Sequence, residues 1–256
     1  MAPRILVVND DGIDSEGIIA LAEALRAIGD VTVVAPDGDR SGASHSISTR
    51  HAVTAHARAG RSVPSFACSG TPADCVILGV NELCAGRPDI VVSGINRGAN
   101  LADDINYSGT VAAAVEAVVA GIPAIAVSLA ASWPEADPEH HWSTAAQVAC
   151  DLALETLREP LPAGSYWNIN VPNVPAHALR GRRFTRQGRK QYEDRLARVD
   201  GDGTTFFTVW AHPRTNADDD SDTAAVQAGF ASVTPLRMDR TDVRSLERFQ
   251  RTTAVG

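Results

Sequence analysis

The chain has 256 residues, of which 44% are hydrophobic and 21% are charged, and its formal net charge is −8 at pH 7. This length suits one large domain or a domain with an appendage, and the composition is that of a soluble globular protein with a full core. The acidic balance argues against a protein that mainly binds a nucleic-acid polymer or an anionic membrane, although it leaves room for a small phosphate ester whose charge a metal ion offsets.

The first 36 residues predict a strand, a helix and a second strand. Residues 5–8 are a continuous apolar run, which is typical of a central strand buried on both faces. Residues 15–26 place their apolar side chains on one helical face, and residues 31–36 form a second apolar run. This order predicts a βαβ unit and therefore a parallel sheet.

Two adjacent carboxylates, Asp10 and Asp11, follow the first predicted strand. They repel each other, and their desolvation is unfavourable unless a positive group lies nearby. They also stand at the carboxyl end of the strand, which is where open α/β sheets bind ligands. A bound divalent cation is the simplest explanation of the pair.

A small, polar, glycine-containing loop, residues 37–46, follows the second strand at the same predicted edge. Its hydroxyls, including that of Ser41, and its backbone N–H groups suit a cation or a phosphate, with a plain surface loop as the alternative. His45 is interpreted as a surface histidine. Residues 47–68 alternate only weakly, and we expect antiparallel strands at the margin of the sheet.

The middle of the chain continues the alternation of helices and strands. Thr71 is a predicted N-cap, followed by Pro72 at the first helical position and Asp74 three residues after the cap. This helix is expected to end at residues 87–88. Residues 88–94 predict a third buried strand, which leads into an amide- and glycine-rich loop containing Asn96.

Ser108-Gly109-Thr110 stand immediately before a predicted helix at residues 111–120, and residues 124–129 predict the next strand. A helix N-terminus offers free N–H donors and the positive end of the helix dipole, and this one adds two hydroxyls. That arrangement favours an anion. An ordinary N-cap without a ligand is the alternative.

The second half begins with a predicted loop at residues 131–141. Its His140-His141 pair is interpreted as a surface pair rather than a metal site, because adjacent histidines point in different directions on most backbones. An amphipathic helix is predicted at residues 143–157 and a strand at residues 167–172.

After Pro175 the composition shifts, beginning with a basic stretch between residues 180 and 190. We expect residues 1–175 to form the catalytic core and residues 176–256 to form a C-terminal extension that completes it. The extension's predicted elements are a hairpin strand at 204–210, an acidic turn or helix start at 218–222, a short helix, a strand at 233–236 and a last helix from Thr241.

No stretch of the sequence has the pattern of an export signal or a membrane span. The first apolar run is too short for a signal peptide, and none approaches the roughly 18 apolar residues of a span. The four cysteines, at positions 68, 75, 84 and 150, lack the paired spacing of a zinc site. We therefore expect reduced, mostly buried thiols in a cytoplasmic protein.

Several segments, in the right order, closely resemble the SurE family, the survival-protein 5′/3′-nucleotidases. The match runs from residue 5 to about 129 and continues more weakly through 168–172, 184–187 and 233–236. Its strongest segments are Asn9-Asp10-Asp11-Gly12, Val34-Ala35-Pro36-Asp37 with Arg40-Ser41-Gly42, Gly70-Thr71-Pro72-Ala73-Asp74-Cys75, Val92-Ser93-Gly94-Ile95-Asn96-Arg97-Gly98-Ala99-Asn100 and Tyr107-Ser108-Gly109-Thr110.

The resemblance implies a Rossmann-like α/β fold, with a mostly parallel sheet, helices on both faces and a C-terminal hairpin and helix used in oligomerisation. It implies a homodimer or homotetramer with exchanged C-terminal segments. It also implies metal-dependent hydrolysis of nucleoside 5′-monophosphates to nucleoside and phosphate, with 3′-monophosphates and short polyphosphate as further candidate substrates.

Mapped onto this sequence, the resemblance implies one divalent metal ion per subunit, held by Asp10, Asp11, Ser41 and Asn96. Oxygen donors of this kind suit Mg²⁺ or Mn²⁺, with Ca²⁺ as an alternative. Asn9, Asp10 and Asp11 are the candidate catalytic residues, and whether an aspartate acts as base or nucleophile stays open. The residues implied for the phosphate pocket are Asn9, Ser108, Gly109 and Thr110.

Three other classes of protein share part of this pattern. A phosphoacceptor receiver domain also carries paired acids after its first strand, but residues 92–96 hold no acceptor aspartate and the chain is too long for a lone receiver. A dinucleotide-dependent oxidoreductase needs a G-x-G-x-x-G turn, which residues 9–17 lack. A non-catalytic nucleotide-binding protein differs only in activity, so metal-dependent phosphate release would exclude it.

Overall fold

The computed structural model describes residues 2–131, 139–189, 191–201, 204–214, 218 and 220–253. Within these residues the chain forms a nine-stranded mixed sheet and a separate two-stranded hairpin. The strands are β1 (Arg4–Val8), β2 (Asp30–Pro36), β3 (Ala55–Ala57), β4 (Ser65–Cys68), β5 (Ile90–Arg97), β6 (Ala124–Ala130), β7 (Ser165–Pro172), β8 (Arg182–Phe184), β9 (Gln191–Gly201), β10 (Thr204–Arg214) and β11 (Ala231–Arg237).

Strand β1 lies inside the large sheet, whose order is β3-β4-β2-β1-β5-β6-β7-β11-β8. It pairs in parallel with β2 on one side, through Val7 and Val33, and with β5 on the other, through Val7 and Val92. The strand order therefore reverses at β1. A crevice opens at such a switch point beyond the carboxyl ends of the strands, which is where Asp10 and Asp11 stand.

Helices cover both faces of the sheet, as predicted. Alternate side chains of β1 enter two separate apolar clusters: Val7 packs with the cluster that includes α1 and α4, and Leu6 packs with the cluster that includes α2 and α3. Residues 5–8 are at most 1% exposed, which explains why their sequence is a continuous apolar run. The helices are α1 (Glu16–Leu25), α2 (Pro72–Leu78), α3 (Gly109–Val119), α4 (Trp142–Arg158), α5 (Asp222–Gln227) and α6 (Val243–Thr253).

Three details differ from the sequence-based expectations. Strand β4 pairs antiparallel with β3, as predicted, but it joins β2 in parallel, so only one antiparallel strand stands at this margin. The α-helix that begins at Pro72 ends at Leu78, and a π-helical turn continues to Leu83. Strand β5 continues beyond residue 94 to Arg97, so Asn96 lies on a strand rather than in a loop.

Residues beyond 175 contribute to the large sheet and also form the separate hairpin. Strand β11 pairs antiparallel with β7, and β8 pairs in parallel with β11. The hairpin expected around residues 204–210 is the pair β9 and β10. Whether residue 175 divides two domains, and whether the extension serves oligomerisation, stay predictions.

Parts of two predicted loops fall outside the described residues. Residues 132–138 of the 131–141 loop lie there, as does residue 219 of the acidic stretch. At the end of that stretch, the Ser221 side chain caps α5 by accepting a hydrogen bond from the Ala224 N–H. Among the described residues, none of the helices is both long enough and apolar enough to cross a bilayer.

Candidate functional site

The turn between β1 and α1 is held by the buried amide of Asn9. Its Nδ2 donates to the carbonyl oxygen of Gly12 at 2.9 Å and to Oγ of Ser15 at 2.8 Å. Its Oδ1 is buried and has no hydrogen-bond partner among the described residues. The amide therefore fixes the turn that presents the two aspartates, and its contact with a phosphate stays a prediction.

Asp10 is 3% exposed and packs directly against the N-terminus of α3. Thr110 Oγ1 donates a hydrogen bond to Asp10 Oδ1 at 2.5 Å. A Cβ at position 109 would lie 2.8 Å from Asp10 Oδ2, so only glycine allows this approach. Burial raises the pKa of Asp10, although the hydroxyl of Thr110 and the nearby backbone N–H groups act in the opposite direction.

Three of the residues predicted for the phosphate pocket thus make contacts within the protein itself. Gly109 and Thr110 contact Asp10. Ser108 caps α3, because its Oγ accepts a hydrogen bond from the Val111 N–H at 3.1 Å. The helix begins at Gly109, two residues earlier than predicted, with Ser108 as its N-cap. A bound phosphate at this helix stays a prediction.

Asp11 is half-buried and faces the cleft at the switch point. Burial and the charge of Asp10 raise its pKa to about 7, while the Arg97 backbone N–H, which donates to Oδ2 at 3.1 Å, lowers it. Asp39 adds a further negative charge nearby. A cation placed among these carboxylates would remove the repulsion, as the sequence predicts.

The two other predicted metal ligands are oriented by short local hydrogen bonds. Ser41 Oγ donates to Asp39 Oδ1 at 2.6 Å, and the Ser41 N–H donates to the same oxygen at 2.8 Å. Because the hydroxyl proton is directed at Asp39, the lone pairs of Ser41 Oγ point away from Asp39. Asn96 Nδ2 donates to the Gly98 carbonyl oxygen at 2.9 Å, which leaves its Oδ1 on the opposite side of the amide.

Asp11 and Ser41 line a cleft of about 1090 Å³ that runs from the end of β1 to the beginning of α4. Asp14, which also lines it, pairs with Arg58 and Arg61 from the loop after β3. Among the described lining residues, one cationic guanidinium, Arg97, faces five carboxylates, which are those of Asp11, Asp14, Glu16, Asp39 and Glu139. The cleft is therefore strongly acidic.

The described part of the chain holds no group of three or more His, Cys, Asp or Glu side chains able to bind a metal. A metal in this cleft therefore depends on the mixed carboxylate, hydroxyl and amide set. All four predicted ligands offer oxygen, which fits a hard cation. The unpaired Asn9 Oδ1 and the mutual repulsion of Asp10 and Asp11 fit a positive ion in the same place.

Sequence reasoning missed several residues of the cleft. Arg97 acts on Asp11 through a backbone N–H, and a backbone donor carries no sequence signal. His140 and Trp142 line the cleft with half-buried rings, whereas His140 was expected on the surface as one of a histidine pair. His45 is exposed, as expected, and its Nε2 lies 2.8 Å from Glu116 Oε2.

Comparisons with known proteins agree on one family. The family model described as survival protein SurE matches residues 5–194. The 5′-nucleotidase SurE of Geobacter sulfurreducens is 47% identical over 96% of this chain and 92% of the relative, and the 5′/3′-nucleotidase SurE of Proteus mirabilis is 46% identical over 95% and 93%. The crystal structure of the SurE protein from Aquifex aeolicus has a TM-score of 0.84 at 37% identity, covering 98% of this chain and 100% of that one.

Proposed function

The chain belongs to the SurE family, and from this membership we propose that it is a metal-dependent phosphatase that hydrolyses nucleoside 5′-monophosphates to nucleoside and phosphate. Relatives that match nearly the whole chain carry the names 5′-nucleotidase and 5′/3′-nucleotidase. The observation that carries the proposal is the pair of adjacent, desolvated carboxylates, Asp10 and Asp11, at the switch point of the sheet.

The metal ligands are Asp10, Asp11, Ser41 and Asn96. Bound there, Mg²⁺ or Mn²⁺ supplies positive charge to phosphate oxygens and lowers the pKa of a water molecule. Ca²⁺ is an alternative occupant of such an oxygen site. The acidity of the cleft supports the need for a cation. Asp14 is paired with Arg58 and Arg61, but among the described lining residues Arg97 is the one guanidinium beside the other four carboxylates, and a phosphate dianion adds to their negative charge.

The two aspartates divide their roles according to their surroundings. Asp10 is locked against α3 by Thr110 and Gly109, so it holds its position and binds the metal. Asp11 lines the cleft and is available to substrate. Asn9 completes the catalytic set by fixing the turn on which both stand. A water molecule attacks phosphorus in line, with the nucleoside as the leaving group.

Phosphate binds between the metal ligands and the N-terminus of α3, where Ser108, Gly109 and Thr110 are the candidate contacts. The positive end of the helix dipole favours an anion there. The enzyme acts as a homodimer or homotetramer in the cytoplasm. The described cysteines, which are free and mostly buried, support an intracellular location.

The replacement Asp10→Asn tests the metal assignment. It keeps the size of the side chain and removes the charge, so phosphate release from a nucleoside 5′-monophosphate should fall to the level seen with EDTA, while circular dichroism and the thermal midpoint stay near wild type. Asp30→Asn, an exposed aspartate at the start of β2, is the matched control and should leave turnover unchanged. Near-normal activity of Asp10→Asn would refute the assignment.

The substrate class is tested by phosphate release from a panel of 5′-monophosphates, 3′-monophosphates and short polyphosphate, each with Mg²⁺, Mn²⁺, Ca²⁺ or EDTA. We expect 5′-monophosphates to react, with release abolished by EDTA. Absence of release from every nucleotide in the presence of each metal would contradict the proposed activity and favour a non-catalytic nucleotide-binding protein.

A further inference from the structure

Two stacked rings line the cleft, at positions far along the chain from the proposed metal ligands. The imidazole of His140 and the indole of Trp142 lie nearly parallel, with ring centroids 5.2 Å apart and an interplanar angle of 17°. Both residues line the same cleft as Asp11 and Ser41. The lining of the cleft therefore combines carboxylates and hydroxyls with an aromatic surface.

The backbone on either side of His140 is clamped by one amide. Asn173 Oδ1 accepts a hydrogen bond from the His141 N–H at 2.9 Å, and Asn173 Nδ2 donates to the Glu139 carbonyl oxygen at 2.9 Å. Asn173 follows directly after β7, so the clamp fastens this short segment to the sheet. The ring of His140 consequently stands on a fixed backbone.

The indole of Trp142 is also held in place. Its Nε1 donates to Glu16 Oε2 at 2.9 Å. A Cβ at Gly17 would lie 3.1 Å from Trp142 Cζ3 and 2.1 Å from the Ile95 carbonyl oxygen, so the indole and the end of β5 pack around the same glycine. Ile95 immediately precedes Asn96, a proposed metal ligand. The stacked rings therefore lie beside the strand that carries Asn96, one of the four proposed ligands.

We propose that the ring face of His140, backed by Trp142, binds the nucleobase of the substrate by stacking. This inference rests on the proposed nucleotidase function, since it assigns the other end of the same substrate. A nucleobase is a flat heteroaromatic group that stacks on aromatic side chains. The other apolar lining residues, Ile19 and Ala20, offer no planar surface, and the remaining lining is largely charged.

Stacking on a ring has a consequence for selectivity. Every base has a π-face, so this subsite accepts purines and pyrimidines and favours the larger purine surface. The positions of the rings on a clamped segment, rather than on a free loop, mean that the surface is in place before substrate arrives. The subsite then contributes mainly to KM and little to the chemical step.

The test compares adenosine 5′-monophosphate with ribose 5-phosphate, which keeps the sugar and phosphate and lacks the base. In the metal-loaded enzyme, His140→Ala should raise KM for adenosine monophosphate by about tenfold, the order expected for one lost stacking contact, and leave KM for ribose 5-phosphate unchanged. His140→Phe should restore a KM near wild type. His141→Ala, whose side chain is not among the described cleft-lining residues and whose backbone bond to Asn173 survives, should behave as wild type.

A second measurement uses adenosine as an inhibitor of ribose 5-phosphate hydrolysis. The inhibition constant of adenosine should rise in His140→Ala by the same factor as KM for adenosine monophosphate, and it should return to the wild-type value in His140→Phe. Equal changes for both substrates, or no change for either, would overturn the subsite. If wild-type protein released phosphate from ribose 5-phosphate and from no nucleotide, the proposed function would fail instead. If wild type hydrolyses nucleotides and His140→Ala has the same KM and inhibition constant, the base subsite is wrong and the proposed nucleotidase function stands.

Discussion

At the scale of single residues, the site depends on how one buried carboxylate is held. Asp10 accepts a hydrogen bond from Thr110, which is itself fully buried, and it lies against the backbone of Gly109. A hydrogen bond to a metal-binding carboxylate orients it, and such supporting groups affect metal affinity and activity nearly as much as the ligands do. If Asp10 binds the proposed metal, we expect Thr110 to act through it as a positioning residue.

The replacement Thr110→Val removes the donated hydrogen bond and keeps the shape of the side chain. We expect the apparent metal affinity, measured from the Mn²⁺ dependence of turnover, to fall by roughly 10- to 100-fold, the range seen when such supporting groups are lost. Saturating metal should recover much of kcat. Thr110→Ser keeps the hydroxyl and should stay near wild type. Unchanged metal dependence in Thr110→Val would show that Thr110 does not position Asp10.

At the scale of elements, the start of α2 fastens the chain that follows the Ser41 loop. Thr71 and Asp74 form a capping box, and Asp74 also accepts hydrogen bonds from the N–H of Ser48 at 3.0 Å and from its Oγ at 2.7 Å. Thr71 Oγ1 donates to the Ser46 carbonyl oxygen at 2.7 Å. A helix cap is thereby shared with the segment that follows the loop of Ser41, a proposed metal ligand.

Asp74→Asn tests this link through the pH dependence of stability. Burial alone would raise the pKa of Asp74, but the hydrogen bonds from Ser48 and Thr71 outweigh it, and the folded-state pKa is lowered. A lowered folded-state pKa stabilises the protein above the unfolded-state pKa, and that contribution is lost as pH falls through the folded-state value. We expect Asp74→Asn to lower the free energy of unfolding by about 2 kcal/mol at neutral pH, the scale of hydrogen bonds to a charged group.

Urea denaturation at several pH values measures the effect. The difference between wild type and Asp74→Asn should shrink as pH falls below the ordinary aspartate pKa of about 3.9. Asp151→Asn, on the exposed face of α4, is the control and should change stability by no more than about 0.5 kcal/mol. A difference that is constant over the whole pH range would contradict the role given to the carboxylate.

Most elements of the fold could be predicted from sequence, because buried parallel strands and capped helices carry strong local signals. Residues 5–8 and the Thr71-Pro72 helix start are examples, and both are confirmed. The extension of β5 to Arg97 could not be predicted, since Gly94 reads as a turn signal. Its φ is +141°, and a Cβ there would lie 2.4 Å from the Val127 carbonyl oxygen, so the glycine permits close strand packing instead.

The candidate site could be predicted only as a set of chain segments. The acidic, hydroxyl and amide side chains at the ends of β1, β2 and β5 follow from strand order. The hydrogen bond from the Arg97 backbone to Asp11 joins residues far apart in sequence. The stacking of His140 on Trp142 depends on the orientation of the two rings. Neither leaves a periodic pattern or a motif that sequence analysis can detect.

At the scale of the whole molecule, the C-terminal helix exposes an apolar face. Val243, Leu246 and Phe249 on α6 are 54%, 46% and 63% exposed. Three large apolar side chains at this spacing lie on one side of a helix, a pattern that favours burial against another surface. A second copy of the chain is the partner expected from the proposed homodimer or homotetramer.

Light scattering coupled to size-exclusion chromatography tests the assembly. We expect wild type to have the mass of two or four chains, and the double replacement Leu246→Asp with Phe249→Asp to shift the mass to one chain, because charges would be desolvated at the interface. Val119→Asp, an exposed apolar position on α3, should leave the mass unchanged. A monomeric wild type, or an unaffected double variant, would contradict the role of α6.

The position of β11 between β7 and β8 has a consequence for how the protein is made. The edge of β7 is covered by β11, with Val233 opposite Ile169. Strand β11 lies some sixty residues later in the chain. During synthesis, β7 therefore leaves the ribosome long before its neighbour, and its unpaired backbone can pair with other chains in the interval. The nascent protein exposes this edge to chaperones and to aggregation during the interval, and a stop codon placed anywhere within it would release a sheet with an open edge.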